Sequence, residues 1–118
     1  MRKLLIFSFA FVLCTGASAQ NQPDGSSGMV NFPCEGWTKA ISTRALEDQR
    51  FFLSWVNGFL AGGNTALFTS NRAGEVVRVP GSEEISARIT VYCADNPAST
   101  FGNAALKLRT DLSRKQGR

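Results

Sequence analysis

The sequence predicts an all-α protein, a small helical bundle with one long central apolar helix, stapled by one disulfide. Three observations carry that expectation. Apolar residues recur at helical spacing in three stretches that begin near Ala45, Ser82 and Asn96. One of these stretches, FFLSWVNGFLAGGN at 51–64, is apolar over more than half of a helix circumference, as a helix packed against several others would be. Finally, an even pair of cysteines, Cys34 and Cys93, remains once an N-terminal export signal is set aside.

That signal occupies residues 1–19. Met1-Arg2-Lys3 supplies a positive start, LLIFSFAFVLC an apolar run too short to span a bilayer, and Ala17-Ser18-Ala19 a small-x-small cleavage site. Cys14 raises lipidation as a rival, but Leu13 before it is not the small residue such processing wants. The expected location is therefore periplasmic or secreted, after cleavage near Ala19. Loss of Arg2 and Lys3 lowers the net charge of +4 by two, so much of the basicity belongs to targeting. In an oxidising compartment a disulfide is the default state of the two remaining cysteines. Zinc is the competing use of paired cysteines, and a chain with no histidine would have to complete that site with carboxylates. Neither a metal nor another cofactor is expected.

Residues 20–31 read as a flexible leader, polar and rich in glycine and serine at its start. A helical domain follows over 32–113, and 114–118 form a basic tail. Trp37 and Ile41, four apart, predict a short helical turn after Cys34 that holds this cysteine against the core. The central helix starts near Ala45 with Glu47 and Asp48 in its first turn, where the helix dipole favours negative charge. Phe51, Phe52, Leu53, Trp55, Val56, Phe59 and Leu60 fill its apolar arc, which leaves Arg50, Ser54, Asn57, Ala61 and Asn64 as the wetted strip. Gly58 and Gly62 border the apolar arc, where they suggest a close backbone approach; packing within the monomer, dimerisation and membrane pairing are the three readings of that spacing. Arg50, Ser54 and Asn57 argue against stable membrane insertion, and the oligomeric state stays open between monomer and homodimer. Gly63 and Asn64 suit the helix end.

Residues 65–81 hold no clean period. Val76, Val77 and Val79 suggest a brief extended piece ended by Pro80-Gly81. Ser82 is expected to cap the next helix, with Glu83 and Glu84 in its first turn and Ile85, Ile89, Tyr92 and Cys93 on its inner face. Asn96 and Pro97 predict the start of the last helix, whose stripe is Phe101, Ala104, Ala105, Leu108 and Leu112. The expected packing core is Trp37, Phe52, Trp55, Gly58, Phe59, Gly62, Ile89, Phe101 and Leu108.

Catalysis needs a recognisable set of reactive groups, and the chain presents none. The absence of histidine removes histidine-based triads and HExxH zinc chemistry, and neither a phosphate-cradling glycine loop nor a Cys-x-x-Cys pair is present. Carboxylates or a serine-lysine pair remain, but their spacing singles out no couple; Glu83 and Glu84, as sequence neighbours, point to different faces. The chain is thus expected to be no enzyme. Arg114, Lys115 and Arg118 lack interleaved aromatics, so nucleic acid is not expected as a partner.

The order PCEGW, an apolar helix ending WVNGFLAGGN, and then ISARITVYCADNPASTFGNAALKLRTDL resembles small periplasmic helical disulfide proteins of two types. One type is the HdeA acid-stress chaperones; the other is the immunity proteins (Rap/Tai) that block type VI-secreted peptidoglycan amidases. The resemblance covers about residues 33 to 112. It implies that Cys34 and Cys93 occupy the disulfide positions and that 51–62 is the core helix. It also implies that the partner is another protein: an envelope enzyme, a toxin or unfolded clients. Immunity proteins occlude an enzyme cleft with a protruding loop, which directs attention to 65–81 and its Phe68, Arg72, Glu75 and Arg78; an ordinary exposed connection is the plainer reading of that loop. The chain departs from the chaperone type in having only nine acidic residues and no histidine, which weakens the expectation of an acid trigger. An inhibitor-like exported binding protein is the leading expectation, an HdeA-type chaperone the alternative, and an accessory subunit of an envelope assembly a third.

Overall fold

The structure, a computed structural model, describes residues 28–117. The export signal at 1–19, with Cys14, lies outside the described residues, as do the leader up to residue 27 and Arg118. Four helices make up the described chain: α1 (Cys34–Ser42), α2 (Leu46–Thr69), α3 (Ser82–Asp95) and α4 (Phe101–Gln116), with 3-10 turns at Met29–Asn31 and Ala73–Glu75. They pack as a bundle, the predicted class.

The core is apolar throughout. Trp37, Ala40, Phe52, Val56, Leu60, Val77, Ile85, Ile89, Phe101, Ala104, Ala105, Leu108 and Leu112 are buried, and no charged or polar side chain is buried among the described residues. Its centre is aromatic: Phe52 and Phe101 lie 4.7 Å apart by ring centroids, and Trp37 meets both edge-on or tilted at 5.7 and 5.9 Å. The Trp37 indole N–H finds its required acceptor in the Thr90 hydroxyl at 3.0 Å.

Cys34 and Cys93 are joined, with Cα atoms 5.3 Å apart across 59 positions of sequence. The bond ties the start of α1 to the last turn of α3. Closing a loop of that length contributes about 4 kcal/mol in the chain-entropy model, large against the roughly 5–15 kcal/mol of a whole domain. Next to it, the first turns of α1 and α4 lie side by side. The Cys34 N–H donates to the Ser99 carbonyl at 3.0 Å and the Phe101 N–H to the Phe32 carbonyl at 2.7 Å, so two orphan helix-start donors are satisfied by neighbouring chain.

Several local expectations are corrected. The last helix begins at Phe101, not at Pro97: the Thr100 hydroxyl accepts from the Asn103 N–H, while Asn96 closes α3 by bonding back to the Tyr92 carbonyl. Ser82 is the first residue of α3 and makes no cap; Gly81 precedes it. Residues 28–31, assigned to the leader, belong to the fold, since Met29 packs on the core and the Val30 carbonyl lies against Gly102. Arg114 and Lys115, assigned to the tail, form the last turn of α4, where basic charge suits the dipole.

The largest correction concerns α2. It does not end at Gly63-Asn64 but runs five residues further, to Thr69. Its buried stripe is Phe52, Val56 and Leu60; of the predicted wetted strip Arg50, Ser54 and Ala61 are exposed but Asn57 and Asn64 are half-buried, and Phe51, Gly58 and Gly62, assigned to the apolar side, are exposed as well. Gly58 and Gly62, assigned to the core, face open space, with nothing near where a Cβ would stand. The close approaches fall elsewhere, above all at Gly102, where a Cβ would collide with the Val30 backbone. Trp55 and Phe59 stack on each other, half-buried, at the margin of the core.

Candidate protein-binding surface

α2 stops at Asn71, which takes a left-handed conformation with φ of 58°. The Asn71 N–H donates to the Phe68 carbonyl at 3.2 Å and the Arg72 N–H to the Leu67 carbonyl at 2.8 Å. This is the paired bonding of a Schellman stop, with asparagine where glycine is usual. The same stop ends α1: Arg44 has φ of 54°, and Arg44 and Ala45 donate to the Ile41 and Ala40 carbonyls.

The chain then returns through the turn at Ala73–Glu75 and is held on both sides by side-chain amides. Asn64 donates to the Val77 carbonyl at 2.7 Å and accepts from the Val77 N–H at 2.9 Å, matching backbone as a neighbouring strand would. On the other side, with the Gln116 amide oriented to satisfy both groups, it donates to the Val76 carbonyl at 2.8 Å and accepts from the Arg78 N–H at 2.9 Å. Val77 is buried between these clamps. The excursion from Asn64 to Val77 therefore has a rigid base and an exposed tip.

The four residues singled out in the sequence are all exposed on or beside this excursion. Phe68, 68% exposed, sits on the last turn of α2, not in a loop. Arg72 and Glu75 come together as a forked pair: Arg72 Nε donates to Glu75 Oε1 at 2.6 Å and its Nη2 to Oε2. That hydrogen bond holds the Glu75 carboxyl below, and the Arg72 guanidinium above, its ordinary pKa. Arg78 stands apart, in a hollow with Pro80, Glu84, Leu112, Lys115 and Gln116, whereas Arg72 and Glu75 line another with Leu67, Arg109 and Ser113. Gln116 lies between the two hollows. Asn64 and Gln116 escaped sequence reading: one resembled a helix end, the other a tail residue, and neither pattern signals a long-range clamp.

Among the described residues no group of histidine, cysteine, aspartate or glutamate side chains is arranged to hold a metal, and no helix is long and apolar enough to cross a membrane. A scan against protein-family models and searches of curated proteins and of solved structures return no match.

Proposed function

We propose that this chain is a non-enzymatic exported protein that binds another protein, in the manner of an inhibitor or immunity protein, through the clamped excursion at 64–78. The observation that carries this reading is the combination of a rigid base with an exposed Phe68 and a forked Arg72–Glu75 pair at the tip. Aromatic and arginine side chains supply most interface hot spots, and a tip held in shape before binding loses little freedom on docking. The partner class is an envelope enzyme or toxin with a cleft that admits one helix end. Calorimetry of the mature chain against peptidoglycan-acting envelope enzymes should find a tight complex, weakened by roughly 2 kcal/mol or more in Phe68→Ala or Arg72→Ala. No complex with any of them, or affinity indifferent to both substitutions, overturns the reading.

The alternative, an acid-stress chaperone, draws on the exposed apolar residues Leu46, Phe51, Phe68, Val91 and Leu106. Acid opening, however, needs groups whose charge changes inside the fold, and the described core contains none. The hydrogen bond from Arg72 holds the Glu75 carboxyl below its ordinary pKa, so this pairing is complete above the ordinary carboxylate range and is lost as pH falls through its folded value. That affects the exposed tip alone. Binding of a hydrophobic dye should stay low from about pH 7 to about pH 3; a sharp rise, with suppression of client aggregation, would favour the chaperone.

A further inference from the structure

Charge is shared unevenly over the surface of the bundle. Among the described residues Arg50, Arg72, Arg88, Lys107 and Arg114 each have a carboxylate within ion-pair distance. Lys39, Arg44, Arg78, Arg109 and Lys115 have none, and the last three of these line the two hollows on either side of Gln116. The carboxylates without a cation, Glu35, Asp48, Glu83 and Asp95, line neither hollow. The two carboxylates that do line them are already engaged, Glu75 by Arg72 at 2.6 Å and Glu84 by Arg88 at 2.7 Å.

Arg109 is the most firmly held of the unpaired cations. Its guanidinium lies where a Cβ on Gly63 would stand and gives one of its five N–H groups to the Leu60 carbonyl at 3.3 Å. Gly63 thus makes room in α2 for a cation from α4. The side chain is half-buried, so its charge is fixed in position beside a hollow of about 460 Å³. Across Gln116, Arg78 and Lys115 share a hollow of about 320 Å³ with Pro80 and Leu112. The dipole of α4 accounts for Lys115 in its last turn but not for Arg78 or Arg109.

We propose that this face receives an acidic segment of the protein partner, one carboxylate side chain entering each hollow and the backbone between them crossing Gln116. The proposal rests on the partner-binding reading above and adds the chemistry of the partner. A planar guanidinium matches a carboxylate with two parallel hydrogen bonds, and Arg109 has N–H groups to spare. Leu67 in one hollow and Pro80 and Leu112 in the other suit the methylenes of glutamate. A continuous phosphate chain fits less well, because Glu75 and Glu84 would face it. The contact is continuous with the tip, since Arg72 lines the same hollow as Arg109.

The probe is a capped hexapeptide of alternating glutamate and leucine, with its glutamine counterpart as control. Added to the mature, disulfide-bonded chain, it should move the side-chain Nε–Hε resonances of Arg78 and Arg109 and saturate with a Kd of about 1 mM or tighter at low salt, weakening as salt rises. Arg78→Gln combined with Lys115→Gln should weaken binding about fivefold, with an unchanged melting point because both positions are exposed. No movement, an equal response to the glutamine peptide, indifference to the double substitution, or stronger binding of duplex DNA or of phosphatidylglycerol vesicles at the same salt overturns the proposal. An envelope enzyme held through Phe68 and Arg72 with an affinity indifferent to the double substitution would overturn it too, and would leave the partner-binding reading standing. A saturable glutamate site without any envelope partner would do the reverse.

Discussion

Gly102 on α4 and Gly58 on α2 look alike in sequence, each a glycine inside an apolar helical run, yet their surroundings are opposite. Gly102 is buried, with the Val30 backbone where its side chain would be; Gly58 is exposed, with nothing there. The adjacent pair Phe51 and Phe52 repeats the contrast on one helix, 63% and 5% exposed. Residue type suggested apolar packing at Phe51, Phe52 and Gly58 alike and singled out nothing at Gly102. What decided each was the direction its Cα–Cβ bond takes relative to the rest of the bundle, a tertiary property.

The contrast can be tested by substitution. Phe52→Ala should destabilise by roughly 3–5 kcal/mol in urea melts, since it empties the space between Trp37 and Phe101, whereas Phe51→Ala should stay within about 0.5 kcal/mol. Equal losses would mean that α2 is rotated from the orientation described. Gly102→Ala should cost about 1–3 kcal/mol, because a methyl there meets backbone and not a flexible side-chain end. The smallest effect has the opposite sign. Gly58→Ala should stabilise by about 0.5–1 kcal/mol through helix propensity alone. A loss instead of a gain would show that something covers α2 at Gly58.

Much of the fold was legible because amphipathic helices carry their orientation in their own spacing. Phe101, Ala104, Ala105, Leu108 and Leu112 read as one stripe and are one buried stripe; Ile85, Ile89 and Cys93 likewise face inward. Helix ends were less legible. Asn64 and Asn71 are both plausible stop residues, and only Asn71 has a following chain that can supply the two N–H groups of the stop while Asn64 is engaged by Val77. The candidate surface was legible only in part for the same reason. Exposure of Phe68, Arg72, Glu75 and Arg78 followed from their irregular, polar neighbourhood. The pairing of Arg72 with Glu75, and the amides that hold the base, depend on where the chain turns.

The sequence by itself determined the class of this protein, because helical periodicity and a pair of cysteines 59 apart leave a stapled helical bundle as the economical way to bury its apolar residues. Only the tertiary structure decided which side of α2 lies inside. A helix apolar around more than half its circumference can dock in several rotations at similar hydrophobic gain, and the choice rests on the neighbours: Trp37 and Phe101 receive Phe52, and the returning chain at Val77 receives Asn64. Those contacts join residues far apart in sequence, beyond the reach of any local pattern.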